Sequence, residues 1–220
     1  MSSAELRVPF LQLWYRRYLE DEDSARFVKG VAGRYTIATL ERLAEHGSRE
    51  GRRAATLALG LVADFSSNAV LGRRLKDPDR GVRILAENGI FEIWCRDGNE
   101  SQRLWLRTIV RLNASGQWQA AREQSGQLID EAPWFAEAWY QRAIACQHLG
   151  QVHDAVRDHL QTLERNPYHV PAAVGLAHCY WQLNKGHAAL ESFRRALKVN
   201  PGLERVRAQM ARLKRALRRE

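Results

Sequence analysis

Residues 102–135 read QRLWLRTIVRLNASGQWQAAREQSGQLIDEAPWF, residues 136–169 read AEAWYQRAIACQHLGQVHDAVRDHLQTLERNPYH, and residues 170–203 read VPAAVGLAHCYWQLNKGHAALESFRRALKVNPGL. In this register Pro133, Pro167 and Pro201 stand 34 residues apart. Ala121, Ala155 and Ala189 share one column, Trp105 and Trp139 a second, and Gly116, Gly150 and Asn184 a third. The stretch is an internal repeat. A unit of this length cannot bury its apolar stripe alone, whereas stacked neighbours bury it jointly.

The 34-residue period with this pattern resembles the tetratricopeptide repeat, a helix–turn–helix unit that stacks into a solenoid. The resemblance implies small residues at the eighth and twentieth positions, where the two helices of a unit approach closely. Those positions hold Ile109 and Ala121, Ala143 and Ala155, and Ala177 and Ala189, so only Ile109 departs. The eleventh and twenty-fourth positions usually carry aromatics. The third unit has Tyr180 and Phe193, but the first has Leu112 and Ser125 and the second Cys146 and His159. After the third unit, Leu203, Val206, Met210, Leu213 and Leu217 follow in steps of 3, 4, 3 and 4, which predicts an amphipathic helix over 204–220 that caps the stack.

In the family, the first helix of each unit lines a concave groove. Carried over by position, the peptide-facing residues would be Arg103, Leu106, Val110 and Asn113 in the first unit, Tyr140, Ile144 and Gln147 in the second, and Val174, His178 and Trp181 in the third. Ala114, Glu137, His148, Pro171 and Gln182 occupy the remaining groove positions. Tyr140 and Trp181 are large rigid anchors, and Asn113 and Gln147 have amides suited to a peptide backbone. Alternatively the apolar positions are covered by the chain's own N-terminal helices or by a second copy. The adaptors that clamp acidic chaperone tails place Lys, Asn and Arg where this chain has Leu106, Val110, Gln141, Pro171 and Gly175, so that clamp is not expected.

Upstream, Leu11, Trp14, Tyr15 and Tyr18 fall at helical spacing, and Glu20-Asp-Glu-Asp-Ser24 suits the N-terminus of a second helix carrying Phe27, Val28 and Val31. Residues 1–34 are therefore read as capping helices. Residues 35–98 resemble HEAT repeats through Asp77-Pro78, Val82, Arg83 and Ala86, with a first unit at 36–63 and a second at 67–97. There Pro78 is expected in the first turn of a helix and Asp77 at its cap. The resemblance implies that Asp and Arg pair between repeats to hold the stack. The whole chain is thus read as all-α, a right-handed α-solenoid of stacked antiparallel helix pairs: HEAT-like units, three tetratricopeptide units over 101–203, and a solvating helix.

Charge is uneven along the 220 residues. Residues 1–100 hold 16 basic and 15 acidic side chains, residues 101–203 hold 11 and 8, and residues 204–220 hold 7 and 2. The basic C-terminal helix, with Arg205, Arg212, Arg215 and Arg219, offers an anion-binding face, joined by Arg52, Arg53, Arg73, Arg74 and Lys76 upstream. Nucleic acid or an anionic surface is the alternative partner to a peptide or protein. Cys95, Cys146 and Cys179 are odd in number and widely spaced, which argues against a disulfide framework or a zinc site. Six of seven histidines lie beyond residue 147, yet no four ligands converge in sequence. No phosphate loop, nucleophile elbow or paired carboxylate appears. No catalytic residue, metal or cofactor is expected. A non-enzymatic cytoplasmic scaffold is the reading, with self-association through the groove or the N-terminal helices left open.

Overall fold

The structure, a computed structural model, describes residues 9–218. These form thirteen α-helices and one 3-10 turn, with no strand among the described residues. The chain divides into two compact units, Met1–Ile93 and Trp94–Glu220. The first eight residues of the expected N-terminal cap and Arg219 of the expected anion-binding set lie outside the described residues. No helix among the described residues is long and apolar enough to cross a membrane.

In the first unit, α1 (Phe10–Asp21) and α2 (Ser24–Ala32) are joined through the acidic turn. Asp23 caps α2 by accepting from Arg26 N at 2.8 Å. Two more helices follow, α3 (Ile37–His46) and α4 (Arg49–Val62), capped by Thr36 and Ser48. Helix α4 is the unit's centre, with Ala54, Ala55, Ala58 and Leu59 fully buried. After the 3-10 turn Phe65–Ser67 come α5 (Asn68–Arg74) and α6 (Arg80–Trp94). A Cβ on Gly60 would lie 2.8 Å from Gly89 Cα, so α4 and α6 approach backbone to backbone at a glycine pair.

The entry to α6 corrects the expected cap. The helix begins at Arg80, and it is Asp79 Oδ1 that accepts from Val82 N, at 3.0 Å. Pro78 therefore precedes the helix. Asp77 is not free to cap, because its carboxylate takes a two-pronged bond from Arg52 at 3.0 Å on each oxygen and closes a turn with Asp79 N at 2.9 Å. Asp79 in turn holds Arg53 at 2.7 and 2.8 Å. Arg83 donates to the carbonyls of Asp77 and Pro78 rather than to a carboxylate.

The second unit is a stack in which each helix packs on the next: α7 (Glu100–Ala114), α8 (Trp118–Glu131), α9 (Ala136–His148), α10 (Val152–Arg165), α11 (Val170–Gln182), α12 (Gly186–Val199) and α13 (Glu204–Ala216). Helices α8, α10 and α12 start 34 residues apart, as do α9, α11 and α13. Each turn within a pair uses left-handed backbone, at Gly116 (φ 76°), Gly150 (φ 73°) and Asn184 (φ 56°). The following N–H reaches back five residues, Gln117 to Leu112, Gln151 to Cys146 and Lys185 to Tyr180, which satisfies carbonyls the helix end would otherwise orphan. Ile109 and Ala121, Ala143 and Ala155, and Ala177 and Ala189 are all fully buried where paired helices meet. The apolar edge of α13,

Candidate functional site

Position along the repeat does not decide exposure. Leu106 is 1% exposed and belongs to the core with Ile109, Leu128 and Phe135. Asn113 is buried and donates to Gln141 through the carbonyl (2.9 Å) and the side-chain Oε1 (2.8 Å). Arg103 donates to Gly98 O at 2.8 Å. Val110 and Val174 are half-buried against the cores of their units. Gln147 donates to Cys179 Sγ at 3.1 Å and pairs with His159 Nε2 at 3.2 Å. Ile144 is half-buried. Leu106 is thus core rather than groove wall, and the amides of Asn113 and Gln147 already join one helix pair to the next.

Tyr140, expected as an anchor, is packed from within. The ring of His169 lies 4.4 Å from its own, and Trp94 stacks on the other residue of that contact, His169, at 4.3 Å with planes 19° apart. Burial raises the Tyr140 phenol's pKa above its ordinary value. Glu137, at the unit's second groove position, is fully buried, accepting from Gln141 Nε2 at 2.8 Å and facing His169 Nε2 at 3.1 Å. His169 Nδ1 accepts from Ala172 N at 3.0 Å and so caps α11, which leaves the Nε2 proton for Glu137. The inner side of the second unit is filled by this chain's own polar network.

The sequence reading weighed these histidines only as metal ligands and so missed the network. Its one legible sign was His169 immediately before α11, a capping place. His159 is likewise fully buried, and burial first, then His169 and His178, push its pKa down to about 3. The Cys146 and Cys179 thiols are pushed up to about 11, chiefly by burial. Among the described residues no three of His, Cys, Asp and Glu gather as a metal ion requires.

An open site remains at the end of the stack. His178 and Trp181 of α11, Phe193 of α12, and Gln209, Arg212, Leu213 and Ala216 of α13 enclose a cavity of about 370 Å³. Phe193 and Leu213 are buried and form its apolar floor, while Trp181 is 45% exposed at its rim. His178 meets Phe193 edge-on at 5.7 Å. Two sets that the sequence kept apart therefore meet: the third unit's groove residues and a cation of the basic helix. Gln209, Arg212, Leu213 and Ala216 share one helix face at steps of three, one and three, with Arg205 one turn before Gln209 and Arg215 nearly one turn after Arg212.

The charges on α13 stand apart from those elsewhere. Arg16, Arg26, Arg52, Arg53, Arg73 and Arg142 each lie against a carboxylate. Arg205, Arg212, Lys214, Arg215 and Arg218 are exposed, with no acidic partner within ion-pair distance among the described residues. Of the upstream arginines expected to bind anions, Arg52, Arg53 and Arg73 are therefore already neutralised, and Arg74 is held by Asp77 and the Ala44 carbonyl.

Comparison with known proteins places part of this arrangement. No curated protein matches the sequence. Among solved structures, one described as YrrB, a tetratricopeptide-repeat protein with an unusual peptide-binding site, aligns at 15% identity and a TM-score of 0.47, covering 90% of this chain and 98% of that one. The tetratricopeptide repeat family model matches residues 170–203, the span of the third 34-residue unit. The chain thus carries a tetratricopeptide repeat, and its α11 and α12 are the two helices of that repeat.

Proposed function

We propose that the protein is a non-enzymatic interaction scaffold that captures a peptide or partner segment on α11 and α13. The observation that carries this reading is the cavity beside Trp181, where an exposed aromatic, a buried apolar floor and Arg212 converge. Binding hot spots combine such features, an aromatic or Arg anchor beside a pocket that excludes water. The groove residues of the first two units contribute shape and rigidity rather than contact, since Leu106, Asn113 and Tyr140 are engaged internally. The HEAT-like reading of 36–97 belongs to the same scaffold, with the Asp77–Arg52 and Asp79–Arg53 pairs holding its helices together. Free thiols at Cys95, Cys146 and Cys179 suit a reducing compartment and support a cytoplasmic placement.

Selection of a random peptide library on the full chain, with Trp181→Ala as the counter-selection, tests the reading. Peptides retained by the wild type and lost by the variant are expected. A library that yields none, or yields peptides indifferent to Trp181, contradicts it. The second reading, an anionic polymer on α13, keeps one favourable observation, the unpaired cations of that helix.

A further inference from the structure

Resting on the reading just given, we infer that the cavity at the end of the stack takes an acidic protein segment in which one large apolar residue is flanked by Asp or Glu. Two independent features point to this chemistry. The cavity is apolar at its floor and closed on one side by Trp181, so it accepts a hydrophobic side chain. The rim continues along α13 as a row of cations, Arg205, Arg212 and Arg215, that nothing among the described residues neutralises. Elsewhere in the chain arginines are held by carboxylates, so this row has the complementary charge to offer a partner.

Spacing sharpens the ligand. Along a helix, Arg205 and Arg212 are separated by about 10 Å and Arg212 and Arg215 by about 4.5 Å. An extended chain advances about 3.3 Å per residue, so residues two apart are separated by about 7 Å. Carboxylates one to three residues on either side of the seated apolar residue therefore fall within reach of the three cations. The arrangement differs from a clamp built on the first helix of each unit, because here the cations all belong to α13.

A nucleic-acid strand fits less well. Such strands bind over successive aromatic platforms along a basic groove. Here the positions equivalent to His178 and Trp181 in the neighbouring units are Ile144 and Gln147, then Val110 and Asn113, so the platform is not repeated. The aromatic surface is one pocket rather than a track.

Fluorescence anisotropy with the full chain tests the inference, using labelled ten-residue peptides and a labelled dT12 oligonucleotide. One peptide set carries a central Phe or Leu among Asp and Glu. A second replaces the central residue by Ala, and a third replaces Asp and Glu by Asn and Gln. The first set is expected to bind, and each replacement to weaken binding at least tenfold. Arg212→Glu and Trp181→Ala are each expected to weaken it at least tenfold while leaving helicity and melting temperature unchanged, since both side chains are exposed. Equal binding of the third set, or indifference to Arg212→Glu, overturns the acidic assignment and leaves the pocket reading standing. Binding by no peptide set overturns both, and binding by dT12 alone transfers the site to the anionic-polymer reading.

Discussion

Nε2 of His169 lies 3.1 Å from Oε2 of Glu137, and both side chains are completely withdrawn from solvent. The pair ties the start of α11 to the start of α9, 32 residues earlier, and Trp94 covers it. A buried carboxylate left without its partner keeps its full desolvation cost. His169→Ala also removes the acceptor that caps α11. The substitution is expected to lower stability by about 3 kcal/mol or more in urea unfolding. A loss below about 1 kcal/mol would show that the network is ornamental.

Acid should weaken the fold through His159 in one pH window. Its folded-state pKa, about 3, lies below its ordinary value, so between the two the unfolded chain binds the proton and the folded chain does not. Stability therefore falls as pH drops from about 6.5 towards 3, at most about 1.4 kcal/mol per pH unit from this group. Denaturant unfolding of the wild type and of His159→Gln at pH 7 and pH 5 reads the difference. The variant is expected to lose less stability between the two pH values, and equal losses would remove His159 from the explanation.

A second, more acidic window belongs to Asp79. The bond from Arg53 holds its carboxyl down at about 2, so its stabilising effect is complete above the ordinary carboxylate range and is lost as pH falls through that value. Arg53 keeps about a third of its side chain in solvent, which screens the pair. Asp79→Asn should cost about 1–2 kcal/mol at pH 7 and almost nothing at pH 2. The same cost at both pH values would assign the effect to lost capping of Val82 alone.

The turns give a prediction with opposite signs at equivalent positions. Gly150 has φ 73° and Asn184 φ 56°. Gly150→Ala should destabilise by about 1 kcal/mol because a Cβ is strained in left-handed backbone. Asn184→Gly should be neutral or stabilising by a few tenths of a kcal/mol. Thermal melts of both variants decide the matter, and a stabilising Gly150→Ala would contradict the turn assignment.

These turns were legible in the sequence because a local, repeated requirement leaves a repeated residue. The alanine columns were legible for the same reason, and so was the amphipathic α13. Exposure at the groove positions was not. Leu106 and Tyr140 occupy the same position as Val174 in the repeat, yet what covers Tyr140 is His169 with Trp94 upon it, and Trp94 lies 75 residues from His169 outside any repeat. The choice of Asp79 over Asp77 as a cap was equally hidden. It depends on Arg52 and Arg53 arriving from α4, 25 and 26 residues earlier. The meeting of Trp181 with Arg212 needed the docking of α13, which neither residue's neighbours announce.

The central claim is that the ligand surface lies at the end of the stack rather than along its whole inner side. The indole N–H resonances of the seven tryptophans, assigned by substitution, report directly on it during titration with a selected peptide. The account predicts that the Trp181 resonance moves in proportion to peptide bound, while those of Trp94, Trp105 and Trp139 stay in place. Movement of Trp94 or Trp139 with Trp181 unchanged would contradict it.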